Sequence, residues 1–421
     1  MEQLNLPLFE ENPLYSLAAS TIDWVSLCQS KKRSYEISSC VDAIMKDPDC
    51  VSILSISGGK DSQASQEFLL HLRKTNGWVN ELYAVHCDLG RADWKFTLPF
   101  VKAQCEKAGL PLVVVKADLD LLAIIYKRYL RLKEQNRQVP HFPSAAARYC
   151  TKMSKTEPTD KHLRAAGHRL IVNVMGIRAQ ESTSRAKKPV ISLRPSLCSE
   201  RFAVKFCDLE TKKVKKYWLP VEEAYRLWLE TGKKHRLAID WLIIHKWKIE
   251  QVWEWCGTSL AEWERRRKLP DSEALDGWPA SPIYVIGING NERKSCAFCF
   301  LASENDLVNA IAYNPETFDW FAKNEQESGW DFQENKPLRR FAKYRVELIE
   351  GLSQEETEIL IFLYQKAMTE IEIEEFMPRS ECCNAIGLLR SKQLIVWDEG
   401  KYRINFEFLE TEVNSTGQVA V

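Results

Sequence analysis

One hexapeptide constrains this chain more than any other feature. Ser57-Gly58-Gly59-Lys60-Asp61-Ser62 follows a short β-rich run, Val51-Ser52-Ile53-Leu54-Ser55-Ile56. It precedes a stretch, Gln63 to Lys74, that carries Phe68, Leu69 and Leu72 on one helical face. A strand that turns through glycines into a helix gathers consecutive backbone N–H groups into a concave nest, and the helix amino terminus adds positive potential. Ser57, Lys60 and Ser62 add side-chain donors. The loop therefore suits phosphate, although its spacing is not that of the longer glycine-lysine loop of other nucleotide-binding proteins. Asp61 has two readings: a helix cap, or a carboxylate that meets magnesium through water.

The surrounding pattern repeats the strand–helix theme. Leu82 to His86 reads as a second strand, Phe96 to Lys107 as a helix, Leu112 to Val115 as a third strand, and Leu170 to Gly176 as a further strand ending at a glycine. Strands separated by helices of this length build βαβ units, so the expected fold class is α/β with a doubly wound, mostly parallel sheet. Ligands of such sheets sit outside the carboxyl ends of the strands, where Ser57, Asp88 and Gly176 fall. Residues 15 to 48 read as helix.

Composition narrows the remaining options. The 58 basic and 58 acidic residues cancel, so contact with nucleic acid or an anionic membrane must come from local patches. No apolar run approaches the ~20 residues that span a bilayer. Even Leu237 to Trp247 is interrupted by Asp240, His245 and Lys246, and the amino terminus lacks a secretory pattern, so a cytosolic protein is expected. Thirteen cysteines at irregular spacing argue for reduced core thiols plus a few ligands or nucleophiles, not a disulfide framework.

Four segments in order carry a family resemblance. The hexapeptide resembles the PP-loop of the family that contains phosphoadenylyl-sulfate reductases, the sulfate adenylyltransferase small subunit and N-type ATP pyrophosphatases. His86-Cys87-Asp88 ends the second strand where relatives carry an aspartate near the nucleotide. Arg148-Tyr149-Cys150-Thr151 with Lys155 and Pro158 is similar to a second family segment. Gly176-Ile177-Arg178-Ala179-Gln180-Glu181-Ser182 with Arg185 is similar to a third. The resemblance spans roughly residues 45 to 320 and implies an adenine nucleotide as ligand, ATP or an adenylyl sulfate (PAPS or APS), with Mg2+. Arg148, Lys155, Arg178 and Arg185 then read as clamps on phosphate or sulfate oxygens. Each is also readable as a member of a surface ion pair. Glu181 either orients Arg178 or caps a turn. Lys60, Asp61, Lys155 and Arg178 are the expected catalytic set.

Cys296-Ala297-Phe298-Cys299 is the strongest cysteine signal, since such a pair can share a metal or cluster or form a redox disulfide. In iron–sulfur relatives, including adenylyl-sulfate reductases and DNA phosphorothioation proteins, the pair joins other cysteines around a [4Fe–4S] cluster. Here Cys150 occupies the matching upstream place. Cys198, Cys207 and Cys256 are candidates for a fourth ligand. Iron–sulfur, zinc and metal-free readings all stay open. Glu381-Cys382-Cys383 does not match the carboxy-terminal cysteine segment of the true reductases and reads as packing.

Domain organisation is expected as an amino-terminal helical segment (1–45), a PP-loop core (46–195), a tryptophan-rich helical region with the cysteine pair (196–345), a winged helix-turn-helix-like module (346–410) and a disordered tail (411–421). Eight of fourteen tryptophans lie between Trp218 and Trp278, beside Lys212-Lys213-Val214-Lys215-Lys216 and Arg265-Arg266-Arg267-Lys268. They form either a nucleic-acid face or a core with solvated cations around it. The carboxy-terminal module reads as helices over Glu355 to Gln365, Glu370 to Phe376 and Ser380 to Lys392, then a hairpin through Leu394 to Ile404. Ser353 to Phe406 carries ten acidic and six basic residues, a net of 6 − 10 = −4, which favours docking a protein over reading DNA. The expected chemistry is attack on the α-phosphate of ATP with release of pyrophosphate, for adenylylation or sulfur transfer within a macromolecular complex. Reduction of an adenylyl sulfate to sulfite and non-catalytic nucleotide sensing are the alternatives.

Overall fold

The computed structural model describes residues 37–207 and 214–409. Ten strands fall within them: β1 (Cys50–Ser55), β2 (Glu81–Asp88), β3 (Leu112–Lys116), β4 (Leu170–Met175), β5 (Ile191–Leu193), β6 (Ala203–Cys207), β7 (Val214–Trp218), β8 (Leu237–Trp241), β9 (Ile395–Asp398) and β10 (Lys401–Ile404). Six of them form one sheet in the order β3-β2-β1-β4-β8-β5. All its pairings are parallel except β5 with β8 at the edge. This is the expected doubly wound α/β fold.

The centre of the sheet is dry on both sides, which is why β1 and β4 read as nearly unbroken apolar runs. Alternate residues of β1 serve opposite faces: Cys50 and Leu54 join the larger core, Val51 and Ile53 the smaller. The chain runs outward from β1 to β2 and β3, then returns to lay β4 on the other flank of β1. That reversal is the topological switch point, and the crevice it opens is where the hexapeptide sits.

Helix α1 (Ser39–Lys46) is the described part of the expected amino-terminal helix; residues 15–36 of that expectation lie outside the described residues, as does the tail over 411–421. Helix α2 (Lys60–Asn76) leaves the hexapeptide and stops at Gly77, whose φ of 67° is the left-handed cap that glycine takes without a Cβ clash. Its buried stripe of Ala64, Phe68, Leu69 and Leu72 faces the larger core. Helices α3 (Thr97–Lys107), α4 (Leu121–Glu134) and α5 (Glu157–Ala165) complete the first half.

Four strands are absent from the reading of the pattern. β6, β7 and β8 lie in a stretch expected to be helical, and β5 has three residues, too few for a periodicity to register. The tryptophans resolve as core: Trp228, Trp241, Trp247, Trp253, Trp255, Trp263 and Trp278 are buried, and Trp218 is half-buried. Trp247 and Trp255 pack on Phe68 at centroid distances of 4.8 and 5.3 Å, so this region supports the helix that follows the hexapeptide.

Beyond the core, α6 (Glu304–Tyr313) and α7 (Pro315–Ser328) lead to α8 (Gln354–Gln365), α9 (Glu370–Glu374), α10 (Arg379–Ser391) and the antiparallel β9–β10 hairpin. These last elements share the larger core with the sheet. Their firmest tie is Asp319 on α7, fully buried, which accepts two hydrogen bonds from Arg345 Nε (3.0 Å each), one from Arg345 Nη2 (2.8 Å) and one from Tyr364 Oη (2.6 Å). Arg345→Met would strand that carboxylate in the core and should cost about 3–5 kcal/mol in chemical denaturation. Replacing Asp319 by Leu in the same chain should return most of the loss, because a buried ion pair is often no better than apolar packing.

Candidate active site at the switch point

Local geometry shapes the hexapeptide as a donor cup. Gly58 has a φ of 73°, and a Cβ there would lie 3.2 Å from Val101 Cγ2 and 3.3 Å from Thr97 Cγ2. Ser62 closes the loop on itself: its hydroxyl donates to the Gly59 carbonyl (2.8 Å) and accepts the Ser57 amide (3.2 Å). The Lys60 amide donates to Tyr284 Oη at 2.9 Å. Among the described residues, the amides of Gly58, Gly59, Asp61 and Ser62 have no hydrogen-bond acceptor. Unsatisfied N–H groups at a helix start are the feature that makes such a turn an anion cradle.

Behind the cup lies an ion triad. Asp61 pairs with Arg178 through Nε, and Lys60 Nζ stands 3.3 Å from its other oxygen. Burial alone would raise the Asp61 carboxyl, but Lys60 and Arg178 outweigh it and hold the group below the usual aspartate value. Lys60 is buried as well, its ammonium 5.1 Å from the Tyr284 ring centroid and 5.8 Å from that of Trp253. Burial pulls its pKa down, and Asp61 and Tyr284 more than restore it, so it stays charged. Asp61 is thereby committed to two cations, and it neither caps α2 nor keeps an oxygen clear of them.

The loop after β4 locks onto the same triad. A Cβ on Gly176 would fall 2.5 Å from the Asp61 carbonyl oxygen and 2.9 Å from Ser65 Oγ, so only glycine permits this contact. Arg178 also donates through Nη1 to Gln180 Oε1 (2.8 Å). Glu181 accepts the Arg178 amide (3.1 Å), capping the short turn Ala179–Glu181, and pairs with Arg185. It thus caps the turn, while Asp61 and Gln180, not Glu181, hold the Arg178 guanidinium.

The cysteine segment packs over the cup. A Cβ on Gly59 would lie 3.0 Å from Lys294 Cβ, the Ala297 amide donates to the Ala92 carbonyl (2.9 Å), and Trp94 Nε1 donates to the Ser295 carbonyl (3.1 Å). Lys294 makes a nearly buried ion pair with Asp93 at 2.6 Å. Burial works against the Lys155 ammonium, yet Cys296, Asp93, Cys87 and Cys299 together hold its pKa above the usual lysine value. Cys296 is pushed up by burial, with Lys155 pulling the other way. Cys150 is raised by burial and by neighbouring Cys296. The structure therefore brings Cys150, Lys155, Cys296 and Cys299 to one place beside the phosphate cup. Arg148 begins the short Tyr149–Thr151 turn and is exposed.

As a metal centre this set is incomplete. Cys150, Cys296 and Cys299 are free thiols, and among the described residues their sulfurs do not all lie within 4.8 Å of one another. Cys256 faces elsewhere, donating to the Lys60 carbonyl (3.2 Å), and Cys198 donates to the Ala238 carbonyl (3.1 Å) beside β8. The Cys207 side chain lies outside the described residues. Three thiols crowded by a lysine do not make the four-thiolate set of a [4Fe–4S] cluster. Cys382 is fully buried within α10, in keeping with a packing role.

A cleft of about 340 Å³ opens at the end of β2, lined by His86, Asp88, Asp93, Thr97, Asn314 and Glu316 among others. It adjoins the cup through Thr97, whose methyl would lie 3.3 Å from a Cβ added at Gly58. Asp88 accepts the Gly90 amide there (2.8 Å). Sequence reading placed Tyr284 and Lys294 only in the segment before the cysteine pair, and gave neither them nor Trp253 or Asp93 a place at the cup. The contacts that tie them to the cup and its cover, Lys60 with Trp253 and Tyr284 and Asp93 with Lys294, span about 190 positions or more, so no local pattern marks them.

Two outcomes follow from this geometry. Gly176→Ala should lose about 1–3 kcal/mol of stability in denaturant titration and weaken nucleotide binding by calorimetry, since the added methyl has no room. Asp61 has a depressed folded pKa, so its contribution is present above its unfolded value and is lost on acidification. The stability gap between the parent protein and Asp61→Asn should be widest near neutrality and shrink as pH falls through 3.8 and below.

A search of curated proteins finds no match. A family model, the phosphoadenosine phosphosulfate reductase domain, matches residues 52–262, half of the chain. That span runs from β1 past the tryptophans that support α2 and takes in the cup, Asp88, Lys155 and the Gly176–Arg185 turn. The chain belongs to the phosphoadenosine phosphosulfate reductase domain family.

Proposed function

We propose that this protein is a PP-loop enzyme that binds ATP in the cup and directs attack on its α-phosphate, releasing pyrophosphate and leaving an adenylylated acceptor primed for sulfur transfer. One observation carries the reading: four unpartnered amides at the start of α2 face the crevice of the switch point, backed by a charged triad. The bond that breaks joins the α-phosphorus to the bridging oxygen, and the charge that develops on pyrophosphate needs fixed donors more than it needs covalent chemistry. The amides supply those donors. Lys155, buried beside the cysteine pair, and exposed Arg148 supply the cations for the phosphates, and Arg178, locked on Asp61, positions the loop instead of clamping a ligand. A magnesium ion arriving with the nucleotide would be met by Asp88, which lines the cleft, because Asp61 is already neutralised. Cys150, Cys296 and Cys299, beside the reacting phosphate, suit an enzyme that hands on sulfur; no step here depends on a cluster. The carboxy-terminal helices and hairpin serve as the attachment to a partner protein.

The test is anaerobic incubation with ATP and magnesium. Pyrophosphate and AMP, formed in equal amounts, are the expected products, and Lys155→Ala should slow their release by about 10²–10³-fold at unchanged thermal stability. A protein inert towards ATP that instead converts phosphoadenylyl sulfate to sulfite and adenosine 3′,5′-bisphosphate would overturn the proposal in favour of reduction.

A further inference from the structure

Several helices of this chain pair a surface cation with a carboxylate one turn away: Lys46 with Asp42, Arg226 with Glu230, and Lys343 with Glu347. Helix α4 breaks that habit. Residues 127–152, its second half and the loop that follows, hold seven basic residues and one acidic residue, a net of 7 − 1 = +6 in a chain whose total charge is zero. Among the described residues, the segment's one ion pair is Lys152 with Glu157 at 3.6 Å, and Lys127, Arg128, Arg131, Lys133, Arg137 and Arg148 have no carboxylate partner.

The spacing makes this concentration of charge costly. Lys127 and Arg131 lie four positions apart and Arg128 and Arg131 three apart, so like charges are neighbours on the helix surface. Tyr126 and Leu130, 38% and 46% exposed, belong to the same solvent-facing side, and Leu130 is three positions from Lys127 and three from Lys133. The other side of the helix, with Leu121, Ile125 and Leu132, is buried, so α4 has no apolar face to turn into a bilayer. The Arg128 guanidinium lies 4.9 Å from the Tyr149 ring centroid, with its Nε buried and without an acceptor. Tyr149 precedes Cys150, so the basic surface adjoins the cysteine segment.

We propose that the exposed face of α4, together with the Gln135–Gln138 stretch beyond it, docks single-stranded RNA. A net of +6 calls for a polyanion. An exposed tyrosine ring and Leu130 set among the cations call for one that bares the faces of its bases, as an unpaired strand does and a duplex does not. Gln135, Asn136 and Gln138 are exposed just past the helix, and their amides both donate and accept, which matches the 2′-hydroxyl that tells RNA from DNA. From Lys127 to Lys133 the helix rises about 9 Å, the length of about three stacked nucleotides. The inference concerns binding and is independent of the chemistry assigned to the cup.

The experiment uses the full chain and a fluorescently labelled, unstructured RNA of about 12 nucleotides, titrated by anisotropy between about 50 and 200 mM salt. Binding should weaken steeply with salt. The triple variant Lys127→Gln, Arg131→Gln, Lys133→Gln should bind at least about tenfold more weakly, with a salt slope shallower by up to about 0.7 for each lost phosphate contact. Tyr126→Ala should weaken binding at least about fivefold with the slope unchanged. The double variant Lys127→Arg, Lys133→Arg should bind like the parent, and pyrophosphate release from ATP without RNA should be the same in all four proteins. No binding at low salt, an unchanged slope in the glutamine variant, or tighter binding to the same sequence as single-stranded DNA, to a duplex or to vesicles of anionic phospholipid would each overturn the proposal.

Discussion

The carboxylate of Asp61, held between Lys60 and Arg178, is the interaction on which the rest of the site depends. It joins the first turn of α2 to the loop after β4, the two segments that flank the switch point of the sheet. Without it, two buried cations would face each other across the crevice. With it, the positive charge is fixed behind the amide cup, and the donors can meet an anion without first rearranging. Gly176 and the Asp61 carbonyl bring the same two loops into contact through the backbone, so charge and shape enforce one geometry.

A second layer is laid over the first by residues from far along the chain. Tyr284 accepts the amide that opens α2, its ring and that of Trp253 enclose the Lys60 ammonium, and the Arg293–Cys299 stretch closes over Gly59. The tryptophan-rich region is thus neither ornament nor a separate body. It is the wall that keeps Lys60 dry, while Asp61 keeps it charged, and it places the cysteine pair next to the phosphate cradle.

How much of this was legible beforehand follows from how local each signal is. The run from Val51 to Ser62 announces strand, turn and helix within a dozen positions, and the structure starts α2 at Lys60 and ends β1 at Ser55. The helices and hairpin over 354–404 fell within a residue or two of their expected ends, apart from the shorter α9, because their apolar spacing is regular and Ser353 and Thr369 cap in place. β8 was hidden because Leu237–Trp241 is buried on both faces and shows no alternation, inside a stretch whose tryptophans suggest helix. Arg178 stood out as part of a family segment but not as a partner of Asp61, since 117 positions separate them and only the fold brings them together. Asp93 with Lys294 was illegible for the same reason.

Helix α7 has a property that its separate contacts do not reveal. Its first turn carries Glu316 and is preceded by Asn314, and both line the cleft at the end of β2; about one turn further on it carries Asp319, the anchor for Arg345 and Tyr364. The cleft lining and the anchor of the carboxy-terminal core therefore sit within the first turns of one helix, roughly 5 Å apart along its axis. A shift of the carboxy-terminal helices would therefore pull on a residue within one helical turn of the cleft lining.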